Sequence, residues 1–130
     1  VKPLTASDET MSAVQHFAEA CGKDPVMVKD RAGFIVNALL FPYLNNAARM
    51  AERGTASVED IDTAMKGGCG FPMGPFALLD LVGLDTSVAI LDALYDEFRD
   101  PHFAAHPILR RMVSAGQLGR KSGHGFYDYR

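Results

Sequence analysis

The chain has 130 residues, of which 48% are hydrophobic and 22% are charged, a composition typical of one globular domain and unlike disordered or collagen-like segments. Its 13 basic and 16 acidic residues give a net charge of −3 without a long basic run, which argues against nucleic acid as the main partner. No apolar stretch reaches the roughly 18 residues of a membrane span. We therefore expect no contact with a membrane. Cys21 and Cys69 lie far apart without a metal-ligand spacing, so we also expect no metal site and a reducing, cytoplasmic setting.

The first thirty residues predict one helix and one short strand. A TxxD motif at Thr5 resembles a capping box, and apolar residues then recur every three or four positions, which predicts a helix over 7–21 with Gly22 just beyond its end. Residues 25–30, PVMVKD, begin with proline and carry alternating valines, a pattern typical of a strand. No second strand is predicted, so the unpaired edges of this strand should pair with a strand from elsewhere.

The remaining residues predict five or six helices that are joined by short loops. A helix over 34–53 should kink at Pro42 and end at Gly54, and Ser57 should cap the helix VEDIDTAMK that follows. The glycines and prolines of 67–75 predict a loop. Three more helices follow: FALLDLVG behind Pro75, a helix over 86–99 capped by Asp85 or Thr86 with an inner face of Val88, Leu91, Tyr95 and Phe98, and ILRRMVSAG between Pro107 and Gly116.

Most of the polar motifs have a sufficient structural explanation. GGCG follows a helix and precedes FPMGP, so it lacks the strand–loop–helix context of a phosphate-binding loop. His102 and His106 are four residues apart, but flanking prolines make a shared helical metal-binding face improbable. The acidic segment VEDID suits a helix N-terminus, and Asp80 is expected to cap the turn around Leu84.

Asn37 is the polar residue that most needs an explanation, because it interrupts the apolar run RAGFIVNALLF. A buried amide without a hydrogen-bond partner costs about 1–3 kcal/mol, so it requires either a protein partner or a ligand. From the spacing alone, a bond to a neighbouring backbone group is the commoner case. Arg120 and Lys121 lie between glycines, where such a pair usually forms a solvated turn.

Four segments in order resemble the C-terminal part of L-3-hydroxyacyl-CoA dehydrogenases, with the bacterial 3-hydroxybutyryl-CoA dehydrogenases as the nearest subgroup: KDRAGFIVN, ERGTASVEDIDTAM, GFPMGPFALLDLVGLD and GQLGRKSGHGFYDY. The resemblance covers essentially the whole chain. It implies an all-α, multi-helix, dimerising C-terminal domain over 31–130. It also implies that residues 1–30 are the last helix and strand of an N-terminal Rossmann domain that binds NAD, which would supply the sheet that the predicted strand lacks.

The resemblance also implies a reaction: oxidation of 3-hydroxyacyl-CoA by NAD to 3-oxoacyl-CoA and NADH, in fatty acid β-oxidation or butanoate metabolism. The family's NAD-binding glycines, catalytic His–Glu pair and catalytic Ser all lie upstream, so the isolated chain is expected to be inactive. The active-site Asn of the family's GFIxNR motif falls on Asn37, and the cofactor-contacting basic residue of GKKxGxGF falls on Lys121. The chain departs at Ala38, where the family commonly has Arg.

Two alternatives remain open at this point. In the first alternative, the chain is a helical association module without a catalytic role. In the second, it is a dehydrogenase domain of the same fold that acts on a sugar acid. For the main hypothesis we expect a homodimer through the apolar faces of helices 34–53 and 86–99.

Overall fold

The computed structural model describes all 130 residues, which form six α-helices and two 3₁₀ turns without a β-strand. The helices are α1 (Asp8–Ala20), α2 (Val36–Glu52), α3 (Val58–Cys69), α4 (Pro75–Val82), α5 (Leu84–Phe98) and α6 (Pro107–Ser114), and the 3₁₀ turns are Pro101–Phe103 and Arg120–Ser122. The all-α fold predicted from the sequence is therefore confirmed. None of the helices combines the length and the hydropathy that crossing a bilayer requires.

A single core lies among α2, α4, α5 and α6. Its largest fully buried apolar side chains are Leu44, Phe76, Leu79, Leu84, Leu91, Leu94 and Leu109. Helix α2 is central because it contacts α3, α4, α5 and α6. Helix α1 is different: it has no buried residue and contacts no other helix.

Local capping signals place the starts of α3 and α4 correctly and the start of α1 incorrectly. Ser57 caps α3, where its Oγ accepts a hydrogen bond from the Asp60 N–H at 3.0 Å, and Pro75 opens α4, both as predicted. The prediction of Thr5 as the cap of α1 is wrong, because Ser7 immediately precedes the helix and accepts from the Thr10 N–H at 3.1 Å.

The start of α5 also differs from the prediction. Neither Asp85 nor Thr86 caps this helix, which begins directly behind Gly83. Gly83 has φ +98°, a conformation that glycine adopts readily, and its carbonyl accepts from both the N–H and the hydroxyl of Ser87. The chain therefore passes from α4 to α5 through a single residue, without a loop in which a capping side chain would lie.

Two other helix boundaries depend on positive φ angles. Helix α2 begins at Val36 rather than at residue 34, because Gly33 (φ +75°) and Phe34 (φ +46°) form a turn before it. It then continues through Pro42 to Glu52. Helix α3 extends through the predicted loop residues 67–69 and ends only where Gly70 takes a left-handed conformation.

The strand predicted over 25–30 is not formed. One isolated parallel bridge joins Lys2 to Lys29, with the Lys2 N–H donating to the Val28 carbonyl at 3.0 Å. The physical reason is that the chain contains no second strand with which this segment could form a continuous ladder.

Candidate functional site

Asn37 lies in the first turn of α2 and is half-buried. Its carboxamide has no hydrogen-bond partner within the chain. It borders an open hollow with a cavity volume of about 240 Å³, which is lined by Val26, Val28, Gly33, Phe34, Ile35, Val36 and Asn37. The amide is the only polar side chain of that lining. A ligand in this hollow would therefore meet apolar walls and a single polar side chain.

Asn45, rather than Asn37, is the amide that α2 buries. Asn45 is 8% exposed, its Nδ2 donates to the Ala104 carbonyl at 2.8 Å, and its Oδ1 accepts from the His106 N–H at 2.8 Å. These bonds join α2 to the segment before α6. Asn37 is less buried than Asn45 in this chain, because the core lies further along the helix. Its role in binding stays a prediction.

The backbone around Asn37 adds further donors. Ile35 precedes the first helical residue, and no side chain caps the helix there. No carbonyl accepts from the N–H of Val36 or Asn37. Free N–H groups and the positive end of the helix dipole both favour an oxygen with negative charge. Together with the Asn37 amide, this helix terminus can stabilise charge that develops on a carbonyl or alkoxide oxygen.

Lys121 lies elsewhere, in the 3₁₀ turn Arg120–Ser122. Its Nζ is 2.5 Å from Asp85 Oδ1, at the start of α5, and this hydrogen-bonded cation holds the pKa of the Asp85 carboxyl below its ordinary value. The side chain of Lys121 is 46% exposed. It is absent from the lining around Asn37, so the structure does not bring the two candidate residues together. A contact between Lys121 and a cofactor stays a prediction.

Asp80 holds the C-terminal segment in place, a role that was not predicted from the sequence. It is 1% exposed and accepts hydrogen bonds from the N–H groups of Phe126 and Tyr127, both at 2.9 Å, and from the Tyr129 hydroxyl at 3.1 Å. The expectation that Asp80 caps the turn around Leu84 is therefore wrong. Its carboxylate instead satisfies the backbone of a segment without regular secondary structure of its own.

Asp62 is a second buried carboxylate at the same segment. It accepts from the N–H groups of Phe76 and Ala77, at 2.8 and 3.0 Å, and from the Tyr127 hydroxyl at 2.9 Å. The first two bonds cap α4 from a different helix, as a side-chain cap does within one. Burial and the neighbouring Asp62 carboxylate raise the pKa of the Tyr127 phenol far above its ordinary value. The cluster VEDID is thus architectural, as expected, although by a longer-range contact.

His106 also has a structural role. Its Nδ1 is 3.2 Å from Glu52 Oε2, and it immediately precedes α6. Burial and the cations of Arg49 and Arg53 lower the pKa of the imidazole below its ordinary value. His102 lies in the 3₁₀ turn Pro101–Phe103, four residues away and outside a helix shared with His106, as the flanking prolines predicted.

An apolar groove runs between α2 and α3. Its cavity volume is about 420 Å³, and it is lined by Tyr43, Asn46, Ala47, Met50, Ala56, Asp60, Ile61, Ala64 and Met65. Ala64, on the face of α3 that lines this groove, is exposed. In contrast, the face of α5 expected to support a dimer packs inward, since Leu91 and Leu94 are fully buried against α2 and α6.

Comparisons with known proteins agree in one family. The model of the 3-hydroxyacyl-CoA dehydrogenase C-terminal domain matches residues 33–129. The chain is 51% identical to 3-hydroxybutyryl-CoA dehydrogenase of Mycobacterium tuberculosis, over 99% of this chain and 46% of that protein. It is 49% identical to mitochondrial hydroxyacyl-coenzyme A dehydrogenase of Sus scrofa, over 100% and 42%.

A crystal structure shows the same similarity in three dimensions. It is that of (S)-3-hydroxybutyryl-CoA dehydrogenase PaaH1 from Ralstonia eutropha, with a TM-score of 0.95 and 46% identity over 98% of this chain and 45% of that one. The chain therefore spans a little less than half the length of the relatives it matches.

Proposed function

The chain belongs to the 3-hydroxyacyl-CoA dehydrogenase family as its C-terminal domain, and we propose that it forms the substrate-side, dimerising domain of an NAD-dependent enzyme. The proposed reaction converts a 3-hydroxyacyl-CoA and NAD into a 3-oxoacyl-CoA and NADH. NAD would accept the hydride, and the proton of the 3-hydroxyl would pass to a general base outside this chain. Residues 31–130 form the domain, and residues 1–30 are the end of the NAD-binding domain.

The exposed apolar side chains of the first thirty residues support this division. Helix α1 contacts no other helix, and its Phe17 is 72% exposed. In the extended segment that follows α1, Val26 is 69% exposed. Large apolar side chains that are exposed close to one another are normally covered by protein. A preceding Rossmann domain would cover α1 and pair with residues 25–30.

The observation that carries the proposal is the unpaired amide of Asn37 at an uncapped helix N-terminus. In the oxidation, negative charge is greatest on the 3-oxygen as its proton leaves. An amide N–H from Asn37 and the free N–H groups behind it would stabilise that charge, and the apolar lining would contact the acyl carbons. Lys121 would contact an anionic group of the cofactor through its exposed side, in competition with Asp85.

The test is an NADH-consumption assay with acetoacetyl-CoA on the longer protein proposed to contain this chain. Asn37→Ala should lower kcat by about 10²–10³-fold, as the loss of one preorganised donor does elsewhere. Arg53→Ala is the control, because Arg53 directly follows the same helix, is exposed, lies outside the groove between α2 and α3, and makes no side-chain hydrogen bond or ion pair. Loss within threefold for Asn37→Ala would contradict the proposed role.

The same assay on the 130-residue chain tests where the remaining chemistry lies. We expect no turnover, because the proposed base and the NAD-binding residues lie upstream of this chain. Turnover by the isolated chain would refute that division of labour. A panel of sugar acids against the longer protein separates the proposed substrate class from the alternative one.

The groove between α2 and α3 favours self-association, so we place the proposed homodimer contact there rather than on α5. Met50, which is 43% exposed, lies in its lining. Light scattering should give a dimer at micromolar concentration, and Met50→Lys should shift it to the monomer because the charge would be desolvated. A wild-type monomer would refute this proposal and also the alternative of a pure association module.

A further inference from the structure

We propose that Glu97 is a positioning residue for Asn37: it fixes the turn that precedes α2 and thereby sets where the first turn of α2 presents the Asn37 amide. The inference rests on the function proposed for Asn37 and adds a second residue to that site. Glu97 lies in the last turn of α5, remote in sequence from Asn37.

The first step is a single hydrogen bond. The Ala32 N–H donates to Glu97 Oε2 at 3.0 Å. No other hydrogen bond or ion pair joins residues 1–35 to any element beyond α2. Apart from the bonds to α2 itself, the polar attachment of this segment to the helical core therefore depends on one carboxylate.

The second step is the packing next to that bond. A Cβ on Gly33 would lie 2.6 Å from Leu94 Cδ2, so the bare backbone of Gly33 rests directly on α5. Leu94 and Glu97 are three residues apart, which places them on the same face of the helix. Helix α5 thus holds two consecutive residues of the turn, one by contact and one by a hydrogen bond.

The third step connects this turn to Asn37. The Gly33 carbonyl accepts from the N–H of Ala38, the residue next to Asn37, at 3.1 Å. Between them, Phe34 has φ +46°, which is unfavourable for a residue with a side chain and persists only where the surroundings enforce it. If Glu97 no longer held Ala32, we expect Phe34 to relax and the first turn of α2 to move.

A displaced donor should affect the chemical step more than binding. Misplacement of a positioning group by about 1 Å can cost up to 10²-fold in rate. For Glu97→Ala we expect kcat to fall about tenfold with KM changed less than threefold. Glu97→Gln keeps a carbonyl oxygen for the Ala32 N–H and should retain at least half of the wild-type kcat.

The experiment compares these variants in the longer protein, with Asp96→Ala as the control. Asp96 is the adjacent acidic residue of α5 and pairs only with Arg99 on the surface, at 3.2 Å. The decisive measurement is the double variant Asn37→Ala/Glu97→Ala. If Glu97 acts through Asn37, adding Glu97→Ala to Asn37→Ala should lower kcat less than twofold. A further tenfold loss, or wild-type kcat for Glu97→Ala alone, would overturn the inference.

A readout without catalysis guards against a variant that merely loses stability. In the 130-residue chain, hydrogen exchange of the Ala32 amide should accelerate at least tenfold in Glu97→Ala and stay near the wild-type rate in Glu97→Gln. Unchanged exchange in Glu97→Ala would overturn the inference. If Asn37→Ala loses activity and Glu97→Ala does not, the proposed function survives and only the positioning role fails. If Asn37→Ala is fully active, both fail.

Discussion

Replacing Asp80 by alanine should be among the most damaging single changes in this chain. The carboxylate is 1% exposed and is the acceptor for the N–H groups of Phe126 and Tyr127. It also accepts from the Tyr129 hydroxyl. Asp80→Ala would remove all three bonds at once without supplying another acceptor.

The expected cost follows from the donors that stay buried. Each buried N–H left without an acceptor costs about 1–3 kcal/mol, and the Tyr129 hydroxyl is left out of this sum because Tyr129 is 37% exposed. Two such groups give a loss of about 4 kcal/mol in the free energy of unfolding. A domain of this size has about 5–15 kcal/mol in total. The midpoint of thermal unfolding should fall by roughly 10–20 °C.

The assay is urea unfolding followed by circular dichroism, with Asp92→Ala as the control. Asp92 pairs with Arg110 at the surface, where such a pair contributes at most about 1 kcal/mol. Limited trypsin digestion adds a local readout, since release of the C-terminal segment should expose the bonds after Arg120 and Lys121. A loss below about 1 kcal/mol for Asp80→Ala, or digestion no faster than in the control, would refute the reasoning.

Three further predictions concern other contacts of the helical domain. Gly119→Ala should cost at least about 3 kcal/mol of unfolding free energy, because a Cβ there would lie 2.3 Å from the Asp80 carbonyl oxygen. Gly54→Ala should cost only about 1 kcal/mol in the same urea-unfolding assay, because Gly54 has φ +69° and open space where the Cβ would lie. Tyr127→Phe should cost about 1–2 kcal/mol, since it removes the hydroxyl bond to Asp62 while two N–H donors remain; no change in the urea midpoint would contradict this. His106 has a lowered pKa, so the unfolded chain takes up a proton that the folded chain does not, and stability should fall as the pH drops below about 6.5 until the folded-state pKa is passed. His106→Gln should flatten that decline in a pH series of urea midpoints, and an unchanged slope would show that other groups cause it.

The helix ends that the sequence predicted correctly depend on neighbours within a few residues. Ser57 needs only the N–H three positions later, Pro75 needs only the freedom of a first helical turn, and Gly116, at φ +73°, follows α6 as expected. Where the prediction failed, as at Asp85, the side chain could have capped a helix, but the chain turned earlier at Gly83. Local sequence signals identify the residues that can start or end a helix, but they do not determine which of several adjacent candidates does so.

The candidate site was only half predictable for a similar reason. The sequence identified Asn37 through its motif, but it gave no sign that Asn45 is the more deeply buried asparagine of α2. Burial depends on which part of the helix meets α4, α5 and α6, and both amides interrupt apolar surroundings in the sequence. That Asn37 lacks a protein partner, and that Glu97 holds the turn before it, could be learned only from the packed helices.

The sequence by itself determined the all-α architecture, the family and the places where helices can start and stop, because helical periodicity, caps and breakers act over one or two turns. The tertiary structure alone decided what Asp62 and Asp80 do, since their partners in the C-terminal segment lie 65 and 46 residues away along the chain. It also decided against a strand at 25–30, because a strand requires a neighbour that these 130 residues do not contain. A carboxylate or an extended segment carries no local sign of its distant partner, and the free energy that fixes it comes from burying the two together.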